Sequence, residues 1–158
     1  MKLIRGIFLF TIFGLLFFGC RPKPVFPAEP VLKFSKFMQP AGSDSLIVVF
    51  SFTDGDGDIG VTQADADSNM VLSVYAPNST GGFTLMPSPV NPPPDSLYYP
   101  YRIPHLVAGQ VGLEGDIYVA FEHKSFIGRD TLQFNAFLLD QSQHRSNYVR
   151  TESVILTH

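Results

Sequence analysis

The chain has 158 residues, 45% of them hydrophobic and 16% charged, with a formal net charge of −3. That length suits one globular domain, and the mildly acidic balance argues against a nucleic-acid binder, which needs a basic face to meet phosphate. Fifteen phenylalanines, thirteen glycines, thirteen prolines and no tryptophan suit β-structure punctuated by turns.

Residues 1–20 read as a processing segment. Lys2 and Arg5 give a positive start, and residues 7–18 run apolar apart from Thr11 and Gly14. The run is short of the ~20 residues a membrane span needs. It closes on Leu16-Phe17-Phe18-Gly19-Cys20, which resembles a bacterial lipobox. The resemblance implies cleavage before Cys20 and lipidation of that cysteine, hence a membrane partner through the lipid anchor; an uncleaved anchor or an ordinary signal peptide is the alternative. Cys20 is the only cysteine, so no intrachain disulfide can form, and stability in an oxidising compartment must come from the core, with or without a metal. Removing Lys2 and Arg5 with the leader takes the net charge from −3 to −5.

Residues 20–30 hold Pro22, Pro24, Pro27 and Pro30, an extended spacer of ~3.1 Å per residue. No acidic run follows Cys20. Such a run resembles the surface-export signal of Bacteroidetes lipoproteins, and its absence favours the periplasmic face of the outer membrane over the cell surface.

Residues 31–158 read as the folded body. Residues 31–38 place Leu32 and Phe34 on one face and Lys33 and Ser35 on the other. A turn at 40–42 leads to a run in which Leu46, Val48, Phe50 and Phe52 share a face, the period of a core strand. Ile47 and Val49 on its second face make it a central one. After an acidic loop, residues 70–76 and 83–86 are strands about a turn at 77–82. The proline-dense stretch 87–95 is a loop or edge segment. Residues 96–105 form an edge strand, limited by Pro100 and Pro104. The cleanest alternation is Leu113, Ile117, Val119 and Phe121 against Glu114, Asp116, Tyr118 and Glu122, with one face buried and one wet. Residues 130–139 align Leu132, Phe134, Ala136 and Leu138. Residues 140–147 are a polar connector, and 148–157 close the domain. Seven to eight short strands predict an all-β, two-layer antiparallel sandwich of the immunoglobulin or fibronectin-III type. A small barrel is the other possibility.

The acidic loop reads Thr53-Asp54-Gly55-Asp56-Gly57-Asp58-Ile59-Gly60, and five of the fourteen carboxylates lie between Asp54 and Asp67. Counting Asp54 as position 1 puts Asp56 at 3, Asp58 at 5, the Gly60 carbonyl at 7 and Asp65 at 12, the ligand spacing of an EF-hand calcium loop. Asp67 is a spare ligand. Position 6 is Ile59 rather than glycine, position 12 is Asp rather than a bidentate Glu, and no helices flank the loop. The expected site is an EF-like calcium loop on a β-scaffold, with a structural role. The alternative is a turn whose Asp side chains cap their own backbone.

Residues 50–60, together with Leu113-Glu114-Gly115-Asp116-Ile117 and Asp140-Gln141-Ser142-Gln143-His144-Arg145-Ser146-Asn147, resemble a group of uncharacterised Bacteroidetes envelope lipoproteins. That group carries an immunoglobulin-like domain with a DGDGDIG motif. The resemblance implies a fold and an envelope location, not an activity.

No nucleophile elbow, phosphate loop or dinucleotide fingerprint occurs, and Glu114 and Glu122 on one strand lie about 27 Å apart, too far for an acid/base pair. His105, His123, His144 and His158 show no metal-ligand spacing and read as surface or edge residues. Tyr98-Tyr99-Pro100-Tyr101 could stack on a sugar ring, though aromatic clusters near proline more often pack an edge. The triplets at Asp44, Asp95 and Asp130 resemble a Bacteroidetes O-glycosylation motif but read more simply as strand starts. The expectation is a non-enzymatic accessory or binding module with an unknown protein or glycan partner. The alternative is a carbohydrate-binding or adhesive module.

Overall fold

The structure, a computed structural model, describes residues 25–60, 69–86, 99–101, 103, 112–126 and 128–157. Nine strands run through them: β1 (Val31–Met38), β2 (Ser45–Asp54), β3 (Met70–Pro77), β4 (Phe83–Leu85), β5 (Tyr99–Tyr101), β6 (Leu113–Glu122), β7 (Thr131–Leu138), β8 (Val149–Arg150) and β9 (Val154–Ile155). One turn of 3₁₀-helix, His123–Phe126, follows β6. Among the described residues no helix is long and apolar enough to cross a membrane.

The strands form an antiparallel sandwich. One sheet has the order β1-β2-β6; the other has the order β4-β3-β7-β8, with β5 also pairing β3 and β9 also pairing β7. The chain therefore crosses between layers after β2 and again around β6, as in immunoglobulin and fibronectin-III-like sandwiches. The period-2 pattern decides which faces meet: Leu46, Val48, Phe50 and Phe52 of β2 and Val119 and Phe121 of β6 face Leu72, Val74, Leu132, Phe134, Ala136 and Leu138 of the other sheet. β2 is central in its sheet, as its two apolar faces require.

With no tryptophan to plug the centre, phenylalanines fill it. Phe134 from β7 packs on Phe121, Phe126 and Phe37, with ring centroids 5.3, 6.5 and 6.0 Å away. Phe37 reaches the core because the β1–β2 register shifts between Phe34 and Lys36. A one-residue bulge reverses the side-chain alternation, so Phe34 and Phe37 turn to the same side and lie 4.8 Å apart. Simple alternation assigns only Phe34 to that face.

Two further departures are local. The closing segment forms two short strands, and between them the Thr151 hydroxyl accepts from the Phe134 amide at 3.0 Å while the Thr151 amide donates to the Phe134 carbonyl at 2.9 Å. Of the edge strand expected at 96–105, Tyr99–Tyr101 pairs with Met70–Leu72 and the amide of buried Ile103 donates to Asn69 Oδ1 at 2.8 Å; the rest lies outside the described residues. His123 directly follows the edge strand β6 but is buried, with Nδ1 3.6 Å from Asp44, so of the surface or edge position expected for it the edge holds and the surface does not.

The spacer and the body are not separate at their junction. The amide of Gly55 donates to the carbonyl of Pro27 at 2.7 Å. A Cβ at position 55 would collide with the carbonyl oxygens of Phe26 and Pro27. Phe26 and Pro27 therefore pack against the acidic loop, and Asn147 clasps the start of β1 with bonds to both the amide and the carbonyl of Leu32, 2.9 Å each.

Candidate metal centre

The acidic loop begins on the last residue of β2. Inward-facing positions of β2 are 46, 48, 50 and 52, so strand periodicity turns Asp54 inward as well, and its side chain is 0% exposed. The chain then reverses: Gly57 has φ 71° and Gly60 φ 114°, values that favour glycine. The turn brings the amide of Ile59 to Asp54 Oδ2 at 3.2 Å. Ile59 is itself fully buried and anchors the loop in the core.

The connector after β7 completes the arrangement. Asp140, 2% exposed, lies two residues beyond the end of β7. Its Oδ1 accepts from the His144 amide at 2.7 Å, and its Oδ2 lies 2.9 Å from His144 Nδ1. Gln143 adopts a left-handed φ of 66° to make that tight reversal. The connector is also bound to the acidic loop. Asp58 Oδ2 accepts from the amide and hydroxyl of Ser142 at 3.1 and 2.7 Å, and Gln141 donates from its backbone to the Asp58 carbonyl at 3.3 Å.

Asp54, Asp56, Asp58 and Asp140 thus converge, each offering a carboxylate oxygen within 4.8 Å of the others. Asp56, Asp140 and His144 form an overlapping group. Two like charges ~4 Å apart repel by about 1 kcal/mol in water and about four times that near a protein surface. Burial, then the charge of Asp56, raises the Asp54 carboxyl to about 6 from 3.8, against the pull of the Ile59 amide. Burial also raises Asp140, while its hydrogen bonds from His144 oppose the rise. The bond to Asp140 raises His144 and so favours the imidazolium.

A carboxylate has about four lone-pair sites. Asp54 Oδ1 and Asp58 Oδ1 are buried and accept from no donor group; the contact of the Asp54 and Asp56 carboxyls becomes a hydrogen bond only with a proton between them. Buried oxygens of this kind ordinarily have a partner. The donor set fits a hard divalent cation, since calcium takes six to eight oxygens at 2.3–2.6 Å, and oxygens on opposite sides of such an ion lie roughly 4.8 Å apart.

Of the residues the EF-hand spacing singles out, Asp54, Asp56 and Asp58 come together. The Gly60 carbonyl accepts from Gln141 Nε2 at 3.1 Å. Asp65 and Asp67 lie outside the described residues, as do Cys20, Tyr98, His105 and His158. Asp140 was not singled out by the spacing, and His144, read as a surface histidine, is bonded to it. Residues 140–147 read in sequence only as a polar connector, with no ligand spacing to tie them to the acidic loop.

Elsewhere the described surface offers two features. A shallow groove of about 340 Å³ on the outer face of the first sheet is lined by Lys33, Ser51, Thr53, Glu114 and Asp116 among others. On the outer face of the second sheet, the Arg145 guanidinium lies 4.9 Å from the ring centre of exposed Tyr148 and 5.8 Å from that of Phe137.

No protein-family model matches the chain, and no curated protein matches it in sequence. Among solved structures it is similar to wild-type OgpA from Akkermansia muciniphila, at 11% identity and a TM-score of 0.37 over 84% of this chain. Catalytically inactive OgpA in complex with an O-glycopeptide substrate, glycodrosocin, aligns at 9% identity and a TM-score of 0.36, again over 84% of this chain. The chain spans about 30% of the length of either. Similarity of that degree leaves the site to be read from this chain's own residues.

Proposed function

We propose that the protein is a non-enzymatic, lipid-anchored component of the bacterial cell envelope, an accessory or binding module whose acidic loop holds a structural calcium ion. One observation carries the metal reading: the buried Oδ1 of Asp54, accepting from no donor group, in a cluster of carboxylates. A self-capping turn would use that oxygen on a backbone amide; only Oδ2 is so used. The anchored location rests on the lipobox-like sequence ending at Cys20, and the outer membrane, periplasmic face, on the missing acidic run after it.

Intact-mass and peptide analysis of the full chain purified from bacterial membranes should find Cys20 as an acylated amino terminus; an unmodified Cys20 inside a longer chain refutes the anchor. For a dissociation constant of 10⁻⁴–10⁻³ M, typical of extracellular calcium modules, 10 mM calcium should stabilise the chain by roughly 1.4–2.7 kcal/mol. That is about 4–8 °C in Tm. No shift at that concentration refutes the metal.

The cluster of exposed Arg145 and Tyr148 with half-buried Phe137 favours one second reading, a carbohydrate-binding or adhesive module. A glycan array separates the two. Uniform silence counts against adhesion, and binding abolished by Tyr148→Ala supports it.

A further inference from the structure

We infer that the cation is held by carboxylates from both sheets, with Asp140 of the β7–β8 connector closing a cage opened by Asp54, Asp56 and Asp58, so that the ion fastens the two layers together at one end. The inference rests on the calcium reading above and replaces its linear ligand set, in which Asp65 would complete the sphere. Asp54 terminates β2 in the three-stranded sheet; Asp140 follows β7 in the other. The two residues are 86 positions apart in sequence, yet all four carboxylates fit within one coordination sphere.

The independent observation is the state of the buried oxygens. Asp54 is fully buried and its Oδ1 accepts from no donor group, as is true of Asp58 Oδ1. Asp140 is oriented rather than consumed. Each of its oxygens takes one hydrogen-bonding contact from His144 and keeps a lone pair. This is the arrangement in which a second residue fixes a ligand's direction. Ser142 does the same for Asp58 by occupying Oδ2 alone. All four donors are hard oxygens, which selects a calcium-like ion over softer metals.

Calcium titrated by calorimetry into the full chain in detergent, as unaltered protein, Asp140→Asn and Asp65→Asn, tests the cage. Asparagine at 140 keeps an acceptor for the His144 amide, and circular dichroism with calcium chelated checks that the variant folds. The expected result is affinity at least ~10-fold weaker for Asp140→Asn and within about twofold for Asp65→Asn. Hydrogen–deuterium exchange of the unaltered chain needs no variant: calcium should slow exchange in residues 54–60 and 139–145 together. Protection confined to 54–65, or a loss of affinity with Asp65→Asn alone, overturns the cage while leaving the calcium loop standing. Absence of any calcium response in the unaltered chain overturns both.

Discussion

With calcium chelated, replacing Asp54 by Asn should stabilise the protein at pH 7.5 by on the order of 2 kcal/mol. The Asp54 carboxyl titrates near 6 in the folded chain and at 3.8 in its ordinary state. A raised acid holds its proton more tightly folded than unfolded. Stability is therefore gained as pH falls from about 7 towards 4 and lost as pH rises through the same window. A rise from 3.8 to about 6 bounds the effect at roughly 3 kcal/mol. Asp140, also raised, acts in the same direction. So does His144, whose raised imidazolium contributes below its unfolded value of 6.5 and ceases to contribute as pH climbs through the folded one. Urea midpoints in chelator should thus be higher at pH 5 than at pH 7.5. Asparagine resembles the protonated acid and still accepts from the Ile59 amide, so the variant should show a flatter pH profile and no calcium stabilisation. A chelated wild-type protein that is more stable at pH 7.5 than at pH 5 contradicts this account of the pole.

Phe134→Ala should cost about 3–5 kcal/mol, the range for removing a fully buried aromatic, and lower Tm by roughly 10–15 °C. Phe134 is fully buried and is the ring through which the second sheet meets Phe37, Phe121 and Phe126 of the first layer and its 3₁₀ turn. Its loss leaves three rings without a common neighbour. Denaturant unfolding followed by circular dichroism measures the cost. A penalty below ~1.5 kcal/mol would mean that the surrounding phenylalanines collapse into the space, so that the centre is not held by this residue.

Alternation made most of the sandwich readable. β2, β3, β6 and β7 announce themselves by alternation, β2 being apolar on its second face as well, and their core-facing residues are those the pattern names. Where hydrogen bonding overrides the period, the pattern fails. The bulge beside Ser35 turns Phe37 inward, and the Thr151 hydroxyl accepts from the Phe134 amide between the two closing strands. The site was half legible for a similar reason. Asp54, Asp56 and Asp58 are close in sequence and declare themselves through composition. Asp140 belongs with them only because β2 and β7 end at the same pole, which no local spacing encodes. Its neighbours Gln141, Ser142 and Gln143 are the ordinary residues of a polar turn.

The contact between Pro27 and Gly55 gives the molecule a heading. Pro27, ahead of β1, is bonded to the body at its carboxylate end. β2 and β6 each run ten residues, about 33 Å, to the other end. That far tip gathers the reversals at 40–43 and 78–82 and the stretch beside Gly128, with Thr157 bonded back to Gln39. The acidic cluster and those reversals therefore lie at opposite ends of the sandwich, and a partner seated on one leaves the other uncovered.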